Sequence, residues 1–198
     1  MQIIKKQDQA LSTWAGGTTT QLAIGPTNAD YSTRSFGWRI STATVNLPES
    51  PFTILPNVHR HLMVLSGTLT LDVENPHLTT SEHPKLSELI LSQQVELTPF
   101  DICQFDGGLS IIGKSTEPVV DFNLMTKPPF YGDLATQIVE ESLTLANIGD
   151  ILGLYVWTGQ LTDPPMACGD FLITEDAAIH LVGNARVIIA YISEGQTQ

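Results

Sequence analysis

The segment 58–61, Val-His-Arg-His, holds the residue types in this sequence that are best suited to chemistry. On a β-strand, residues two apart share a face, so His59 and His61 could bind one metal ion together with a distant third ligand. The other histidines lie in a polar stretch at 74–84, which indicates an exposed loop, or stand alone at position 180. A histidine metal site at 59 and 61 is therefore one hypothesis.

Arginines are scarce, so the location of each one in the fold is informative. The four are Arg34, Arg39, Arg60 and Arg186. A strand over 36–45 would place Arg39 and Ser41 on one face and Trp38 and Ile40 on the other. Two interpretations stay open: Arg39 faces solvent, or its guanidinium enters a barrel together with the Ser41 hydroxyl.

A second strand carries polar residues in alternate positions. In the segment 119–125, Asp121 and Asn123 would share a face with Met125, while Phe122 and Leu124 share the other face. Polar residues that alternate within an apolar strand fit one whose face lines a small polar cavity. The alternative is an edge strand with a face exposed to water.

The glycine pair in Trp14-Ala15-Gly16-Gly17-Thr18-Thr19 permits backbone angles that other residues avoid. The pair could bring Trp14 and Thr18 close to a ligand, or it could simply turn the chain. It is not a phosphate-binding loop, because no Gly-Lys-Ser/Thr sequence follows it.

Short apolar runs rich in Val, Ile, Thr and aromatic residues, each closed by Gly, Pro, Asn or Asp, indicate an all-β fold. The predicted strands are Phe36–Val45, His61–Leu65, Thr68–Val73, Val119–Met125, Leu154–Trp157, Phe171–Thr174 and Arg186–Ile192. The segments 87–97 and 138–148 are ambiguous between strand and helix.

An internal repeat relates the two parts of the chain. Residues 62–69 resemble 154–161, each an apolar strand followed by a glycine turn, and an aspartate-aromatic segment follows each copy. The repeat predicts two similar β modules, 1–130 and 131–198, the second smaller and completing one compact unit. Pro128 and Pro129 fit the connection between them.

The net charge of −12 makes nucleic acid a poor partner. No apolar run is long enough to span a bilayer, and the first residues lack a signal-peptide pattern. We therefore expect a cytoplasmic protein without a membrane partner. Cys103 and Cys168 lie in apolar surroundings, which predicts two buried free thiols. Exposed strand edges make a homodimer plausible.

Several segments together resemble the HutD/Ves family. The matching pieces are Trp-x-Gly-Gly-x-Thr at 14–19, Trp-Arg-x-Ser at 38–41, Pro-Phe-Thr at 51–53, His-Arg-x-Leu-x-Val-Leu-x-Gly at 59–67, Phe-Asp-Gly at 105–107 and Asp-Phe-Asn-Leu-Met at 121–125. The resemblance implies a bicupin fold, two packed double-stranded β-helix barrels, with a polar pocket. The pocket residues that it implies are Trp14, Thr18, Arg39, Ser41, Arg60, Asp121 and Asn123.

The cupin metal motifs are degenerate in this frame. Counting back from Gly67 places Arg60 at the position of the metal-binding glutamate, and Gln104 falls at the position of the last histidine. We therefore expect a barrel without a metal or other cofactor. A buried guanidinium needs a partner, and Asp121 is the candidate.

The resemblance implies a small-molecule binding or regulatory protein linked to histidine catabolism, which recognises an anionic carboxylate metabolite similar to formylglutamate. The alternative is a metal-independent isomerase or hydrolase that acts on a small polar metabolite, with Asp121 and His61 as the available acid–base groups. The sequence departs from the family pattern at His59, where an aspartate is usual, and at Gly108.

Overall fold

The computed structural model describes residues 1–74 and 94–195, and strands dominate them. Their bounds are β1 (Gln2–Ile4), β2 (Ala10–Trp14), β3 (Gly17–Gly25), β4 (Trp38–Val45), β5 (Glu49–Pro51), β6 (His59–Ser66), β7 (Leu69–Val73), β8 (Gln94–Leu97), β9 (Ile102–Asp106), β10 (Ile111–Lys114), β11 (Val119–Thr126), β12 (Phe130–Ala146), β13 (Ile151–Asp163), β14 (Pro165–Ala167), β15 (Phe171–Thr174) and β16 (Ala178–Glu194). A single 3-10 turn, Lys6–Asp8, is the helical element within these ranges.

The strands form three sheets within the described ranges. One has the order β1-β15-β13-β16-β12, with β14 on β13; the second is β5-β10-β7-β8; the third is β2-β3-β4-β11-β6-β9. The pairs β6–β11, β6–β9, β13–β15 and β13–β16 are antiparallel. The all-β prediction is confirmed, and each predicted strand falls within an observed one or overlaps it. The ambiguous segment 138–148 lies largely in β12, which pairs with β16 over 17 residues.

The chain divides into two compact units. Unit 1 contains residues 1–10, 21–40 and 128–198, and unit 2 contains residues 11–20 and 41–127. Unit 1 joins distant parts of the sequence because β1 pairs with β15. The modules 1–130 and 131–198 stay a prediction. No helix in the described ranges has the length and apolar character needed to cross a membrane.

Both units contain a four-residue corner with the same hydrogen bonds. In the corner Thr98–Asp101, the Asp101 N–H donates to the Thr98 carbonyl at 3.0 Å, and the Asp101 carboxylate accepts the Thr98 N–H at 2.8 Å. In the corner Ala167–Asp170, the same two bonds measure 3.0 and 2.9 Å. The predicted aspartate-aromatic repeat therefore corresponds to a repeated hydrogen-bonded structure.

Each corner binds an apolar strand through one valine. The Val64 N–H donates to the Asp101 carbonyl at 3.2 Å, and the Val64 carbonyl accepts the N–H of the preceding residue of the corner at 2.7 Å. Val156 makes the same two bonds with the second corner, with the Asp170 carbonyl at 3.1 Å and the preceding N–H at 2.8 Å. Val64 and Val156 are thus equivalent positions of two related units.

The glycines of the repeat do not form hairpins. Gly67 and Gly159 both have left-handed backbone angles, with φ of +81° and +78°. Gly67 connects β6 to β7, which lie in different sheets, whereas Gly159 lies inside β13. The predicted turn is correct at Gly67 and wrong at Gly159, where β13 continues with a shift in register instead of ending.

The two cysteines differ in exposure. Cys103 is buried as predicted, but Cys168 is exposed, so the prediction of two buried thiols is wrong for Cys168. The Cys168 position lies in the second corner, at the surface, and its thiol donates to the Trp157 carbonyl at 2.9 Å. His77 and His83, predicted to lie in a loop, fall outside the described residues.

Candidate functional site

The registers of β6, β9 and β11 bring three polar side chains to one face of the sheet in unit 2. Arg60 pairs with Met125 on β11 and with Phe105 on β9, while Asn123 pairs with Leu62. Because paired residues of an antiparallel ladder share a face, Arg60, Asn123 and Asp121 lie on the same side. This is the side of the apolar core of unit 2, which includes Leu62 and Phe105.

A chain of hydrogen bonds joins these three residues, which we call the polar triad. The Arg60 Nη2 and Nε donate to the Asn123 Oδ1 at 3.0 and 3.4 Å, and the Asn123 Nδ2 donates to the Asp121 Oδ1 at 3.1 Å. All three side chains are buried, with Arg60 only 5% exposed. Asp121 is therefore linked to Arg60 through the Asn123 amide.

Two aromatic rings flank the Arg60 guanidinium. Its Cζ lies 4.8 Å from the centroid of Phe52 and 5.3 Å from that of Phe105, and the two rings meet edge to face. Cation–π attraction of this kind compensates part of the cost of burying a guanidinium. Both phenylalanines belong to the family-like segments 51–53 and 105–107, but neither was predicted to have a role. The β9 pairing of Arg60 is the signal that identifies Phe105.

Burial raises the pKa of Asp121 to about 6, although the Asn123 hydrogen bond and the positive charge of Arg60 lower it. A carboxyl group with this pKa exchanges its proton near physiological pH. On β9, Cys103 shares the triad face, and burial raises the pKa of its thiol to about 12. Cys103 is thus a neutral wall residue, and Asp121 is the titrating group of the triad.

The histidines lie on the other face of the sheet. His61 pairs with Leu124 and with Gln104, and His59 pairs with Asp106, so all of them face away from Arg60. Gln104 was predicted to stand at the position of the last metal-binding histidine of a cupin. It lies on the face opposite Arg60, because alternation along β9 gives the Arg60 face to Phe105. Within residues 1–74 and 94–195, no group of three or more His, Cys, Asp or Glu side chains is arranged to hold a metal ion.

Arg39 lies in unit 1 and has its own neighbours there. It is buried, and its Nε donates to the Gln21 Oε1 at 3.0 Å. Its Cζ lies 4.0 Å from the centroid of the Tyr31 ring, and the Arg34 Cζ lies 4.3 Å from the same centroid. Ser41, two residues later and in unit 2, is also buried.

Trp14 is the last residue of β2 and Thr18 lies in β3, on either side of the turn at 15–16. The Trp14 indole N–H donates to the Thr19 hydroxyl at 3.2 Å, and the Trp14 ring covers Gly16, where a Cβ would meet it at 2.0 Å. At Gly17 a Cβ would lie 1.8 Å from the Thr44 carbonyl oxygen, so the β4 backbone requires glycine there. The glycine pair thus makes a tight turn, and Thr18 is half-buried beside it.

The positions of unit 1 that are equivalent to the polar triad hold apolar residues. Val64 pairs with Asp121, and the equivalent Val156 pairs with Val187. Two residues earlier on each central strand the partners are Asn123 and Ile189.

Arg60 comes four residues before Val64, and Leu152 comes four before Val156. The three equivalents in unit 1, Leu152, Val187 and Ile189, are fully buried members of an apolar core. An apolar core at these positions therefore satisfies the fold in unit 1, so the fold by itself does not require polar residues there.

The HutD family profile matches residues 6–190 of this sequence. The chain belongs to the HutD family. A comparison with curated proteins found no significant match. The family assignment agrees with the resemblance that the motifs at 14–125 predicted.

Solved structures show a shared fold with this HutD-family chain. A conserved protein of unknown function, PA5104 from Pseudomonas aeruginosa PAO1, is 21% identical with a TM-score of 0.76, and 98% of each chain is covered. HutD from Pseudomonas fluorescens SBW25 is 18% identical with a TM-score of 0.71, covering 98% of this chain and 99% of that one. The bacterial pirin YhhW from Escherichia coli, in complex with nickel(II), is 8% identical with a TM-score of 0.67, covering 98% and 99%. A cupin-2 barrel protein from Leptotrichia buccalis also matches, with 10% identity, a TM-score of 0.54 and coverage of 97% and 96%, so the fold is cupin-like.

Proposed function

We propose that this protein binds a small carboxylate metabolite in the interior of unit 2, with Arg60 as the main recognition group. The observation that carries the proposal is the contrast between the two units. The same three positions hold Arg60, Asp121 and Asn123 in unit 2 but leucine, valine and isoleucine in unit 1. Buried charged groups rarely add stability over apolar ones, so their presence in one unit supports a binding role.

The chemistry of the triad suits a carboxylate. A guanidinium offers a planar fork that binds two carboxylate oxygens at once. The Phe52 and Phe105 rings and the Asn123 amide restrict the plane of this fork, so little entropy is lost when a ligand binds. Ser41, buried on β4 beside β11, is the proposed source of one more hydrogen bond.

Asp121 makes the affinity for the ligand depend on pH. A ligand carboxylate next to the triad would repel the Asp121 carboxylate and raise its pKa further above about 6. The favoured complex therefore has Asp121 protonated, and binding takes up a proton. We propose an acid similar to formylglutamate as the ligand, and a role beside histidine catabolism, on the basis of family membership.

The test is a thermal-shift screen of the metal-stripped protein against small acids, including formylglutamate, with divalent metals as a separate arm. We expect stabilisation by one acid class and calorimetric binding that weakens above about pH 6. The decisive variant combines Arg60→Leu, Asp121→Val and Asn123→Ile, which copies the apolar positions of unit 1.

This triple variant should fold with at least the stability of the parent, because apolar replacement of a buried polar group is often neutral or stabilising. It should no longer bind the acid. His59→Ala changes the opposite face of the same strand and is the matched control, which should bind normally. A folded triple variant that still binds the acid would disprove the proposed site.

One observation supports a second candidate function, an enzyme that uses Asp121 as a general acid or base. Its pKa of about 6 is suited to proton transfer near neutral pH. His61 does not join it, because His61 lies on the opposite face of β6. Turnover of a bound acid that is lost in Asp121→Asn, while binding persists, would favour the enzyme.

A further inference from the structure

The face of β6 opposite the polar triad carries a second set of polar side chains, all in unit 2. His59 pairs with Thr126 on β11 and with Asp106 on β9, so these three residues form one row across the sheet. His61 and Gln104, which pair with each other, lie in the next row and on the same face. We call these five residues the second polar face.

The Thr126 hydroxyl is the feature of this face that points to a ligand. The side chain is 1% exposed, and within residues 1–74 and 94–195 its Oγ1 has no hydrogen-bond partner. Buried hydroxyls nearly always make at least one hydrogen bond, because burying one without a partner costs free energy. Valine has the same shape and would fill the position without this cost. A molecule bound from outside the chain therefore explains the hydroxyl better than the packing of the sheet does.

Asp106 lies at the other end of the row and supplies a negative charge. Its Oδ1 accepts the Gly108 N–H at 2.6 Å. The side chain is half-buried, and it forms no ion pair with a lysine or arginine of the described ranges. A carboxylate that is partly removed from water attracts a positive donor more strongly than a fully exposed one does. Asp106 therefore favours a cationic ligand.

The spacing of the row limits the size of that ligand. Adjacent strands lie about 4.8 Å apart, so the backbones of Thr126 and Asp106, two strands apart, are separated by roughly 9.6 Å. Side chains on one face of a sheet stand roughly parallel, and two hydrogen bonds of about 2.9 Å leave about 4 Å for the ligand itself. A planar group of a few heavy atoms with an N–H at each end fits this span.

We propose that the second polar face binds a small planar organic cation of the amidinium type between Thr126 and Asp106. The Thr126 hydroxyl accepts one N–H of the ligand, the Asp106 carboxylate accepts another, and the ligand rests against His59, which lies between them. A metal ion does not suit the face, because in the described part of the chain no three His, Cys, Asp or Glu side chains are arranged to hold one.

The charge of the whole chain agrees with this choice of ligand, since a net charge of −12 attracts cations. The second polar face shares no residue with the polar triad and takes a ligand of opposite charge. The two sites therefore stand or fall independently.

The experiment is an NMR titration of the full chain with three probes at constant ionic strength. The probes are acetamidinium, its neutral analogue acetamide, and tetramethylammonium, a cation without N–H donors. The signals to follow are the backbone amides of Asp106, Gly108 and Thr126. We expect saturable shifts with acetamidinium, about tenfold weaker binding of acetamide because its hydrogen bond to the carboxylate is uncharged, and no saturable shift with tetramethylammonium.

Two variants each remove one contact. Asp106→Asn retains the Oδ1 that accepts the Gly108 N–H, and should weaken acetamidinium binding about tenfold through the loss of a charged hydrogen bond. Thr126→Val retains the shape of the side chain, so the protein should stay folded, and binding should weaken about fivefold. The matched controls, Glu96→Gln and Thr13→Val, change exposed positions of unit 2 and should leave the affinity within about twofold.

Three outcomes would overturn the proposal. One is equal affinity for acetamidinium and acetamide, which would show that Asp106 contributes no charge to the site. Another is a folded Thr126→Val variant that binds acetamidinium as tightly as the parent. The third is the lack of a saturable shift with any probe, which would assign the Thr126 hydroxyl to an internal water molecule instead.

Discussion

At the scale of single residues, the Arg60 guanidinium donates hydrogen bonds to the Asn123 side chain and interacts with the negative charge of Asp121. The Asn123 amide accepts from the guanidinium and donates to the Asp121 carboxylate, so one neutral residue links the two charged ones. An amide has both a donor and an acceptor at its end, which neither a second arginine nor a second carboxylate has. Asn123 is therefore the residue on which the geometry of the triad depends.

Replacing Asn123 with alanine should destabilise the protein by about 3 kcal/mol, because it leaves a buried guanidinium and a buried carboxylate without their shared bridge. The measurement is urea unfolding of the variant and the parent. Asn184→Ala, at an exposed position of β16, is the control and should change stability by less than about 0.5 kcal/mol. Equal small losses in both variants would show that the bridge is not formed in solution.

The raised pKa of Asp121 predicts that the stability of the folded protein falls as the pH rises. The folded protein holds the Asp121 proton up to about pH 6, whereas the unfolded chain releases it near the ordinary aspartate pKa of 3.8. Between these values the folded state binds more protons, so the contribution of Asp121 to stability falls as pH rises through this window. The total loss is roughly 3 kcal/mol, from two pKa units.

The check is the free energy of unfolding at several pH values between about 4 and 7, for the parent and for Asp121→Asn. The asparagine variant lacks the titrating group, so the difference between the two curves should grow across the window in favour of the variant. Parallel curves would mean that the Asp121 pKa is ordinary.

At the scale of elements, the repeated corner explains how two sequences with few identical residues make the same connection. Asp101 and Asp170 each accept the N–H of the residue three positions earlier. The Asp170 carboxylate makes two further contacts: it accepts the Lys6 N–H at 3.0 Å and pairs with the Lys5 Nζ at 2.9 Å. The second corner therefore also fixes the start of the chain.

This difference predicts unequal effects of the same substitution. Asp101→Ala removes two exposed bonds, from the N–H and the hydroxyl of Thr98, and should cost about 1 kcal/mol, similar to the loss of a helix cap. Asp170→Ala removes three bonds at a buried carboxylate and should cost about 3 kcal/mol. Denaturant unfolding of both variants measures the two values. Equal costs would show that the Lys5 and Lys6 contacts contribute nothing.

At the scale of the whole molecule, the net charge of −12 opposes the approach of any anionic ligand. Arg60 is buried, so its attraction acts only at short range and does not offset this field far from the surface. We expect the association rate of a carboxylate ligand to rise severalfold when the salt concentration increases from about 20 to 150 mM.

Stopped-flow kinetics at several salt concentrations check this expectation, with an uncharged amide analogue of the ligand as the control. The rate for the analogue should not change with salt. A carboxylate rate that falls with salt would mean that positive charge at the surface guides the ligand, and Arg34 would be the first residue to test.

The sequence by itself determined the all-β class, the positions of most strands and the face-sharing of Asp121 and Asn123. These features depend on short-range physics: β-branched and apolar runs, glycine and proline breaks, and the alternation of side chains along a strand. The motifs at 14–125 also predicted the family.

Only the tertiary structure decided which residues meet across strands. Register determined that Phe105, and not Gln104, shares the Arg60 face, because a shift of one residue exchanges the two faces of a strand. It also placed Asn123 between Arg60 and Asp121, and showed that the equivalent positions of unit 1 are apolar. Pairing over long sequence separations is set by the packing of the whole sheet, which no local pattern encodes.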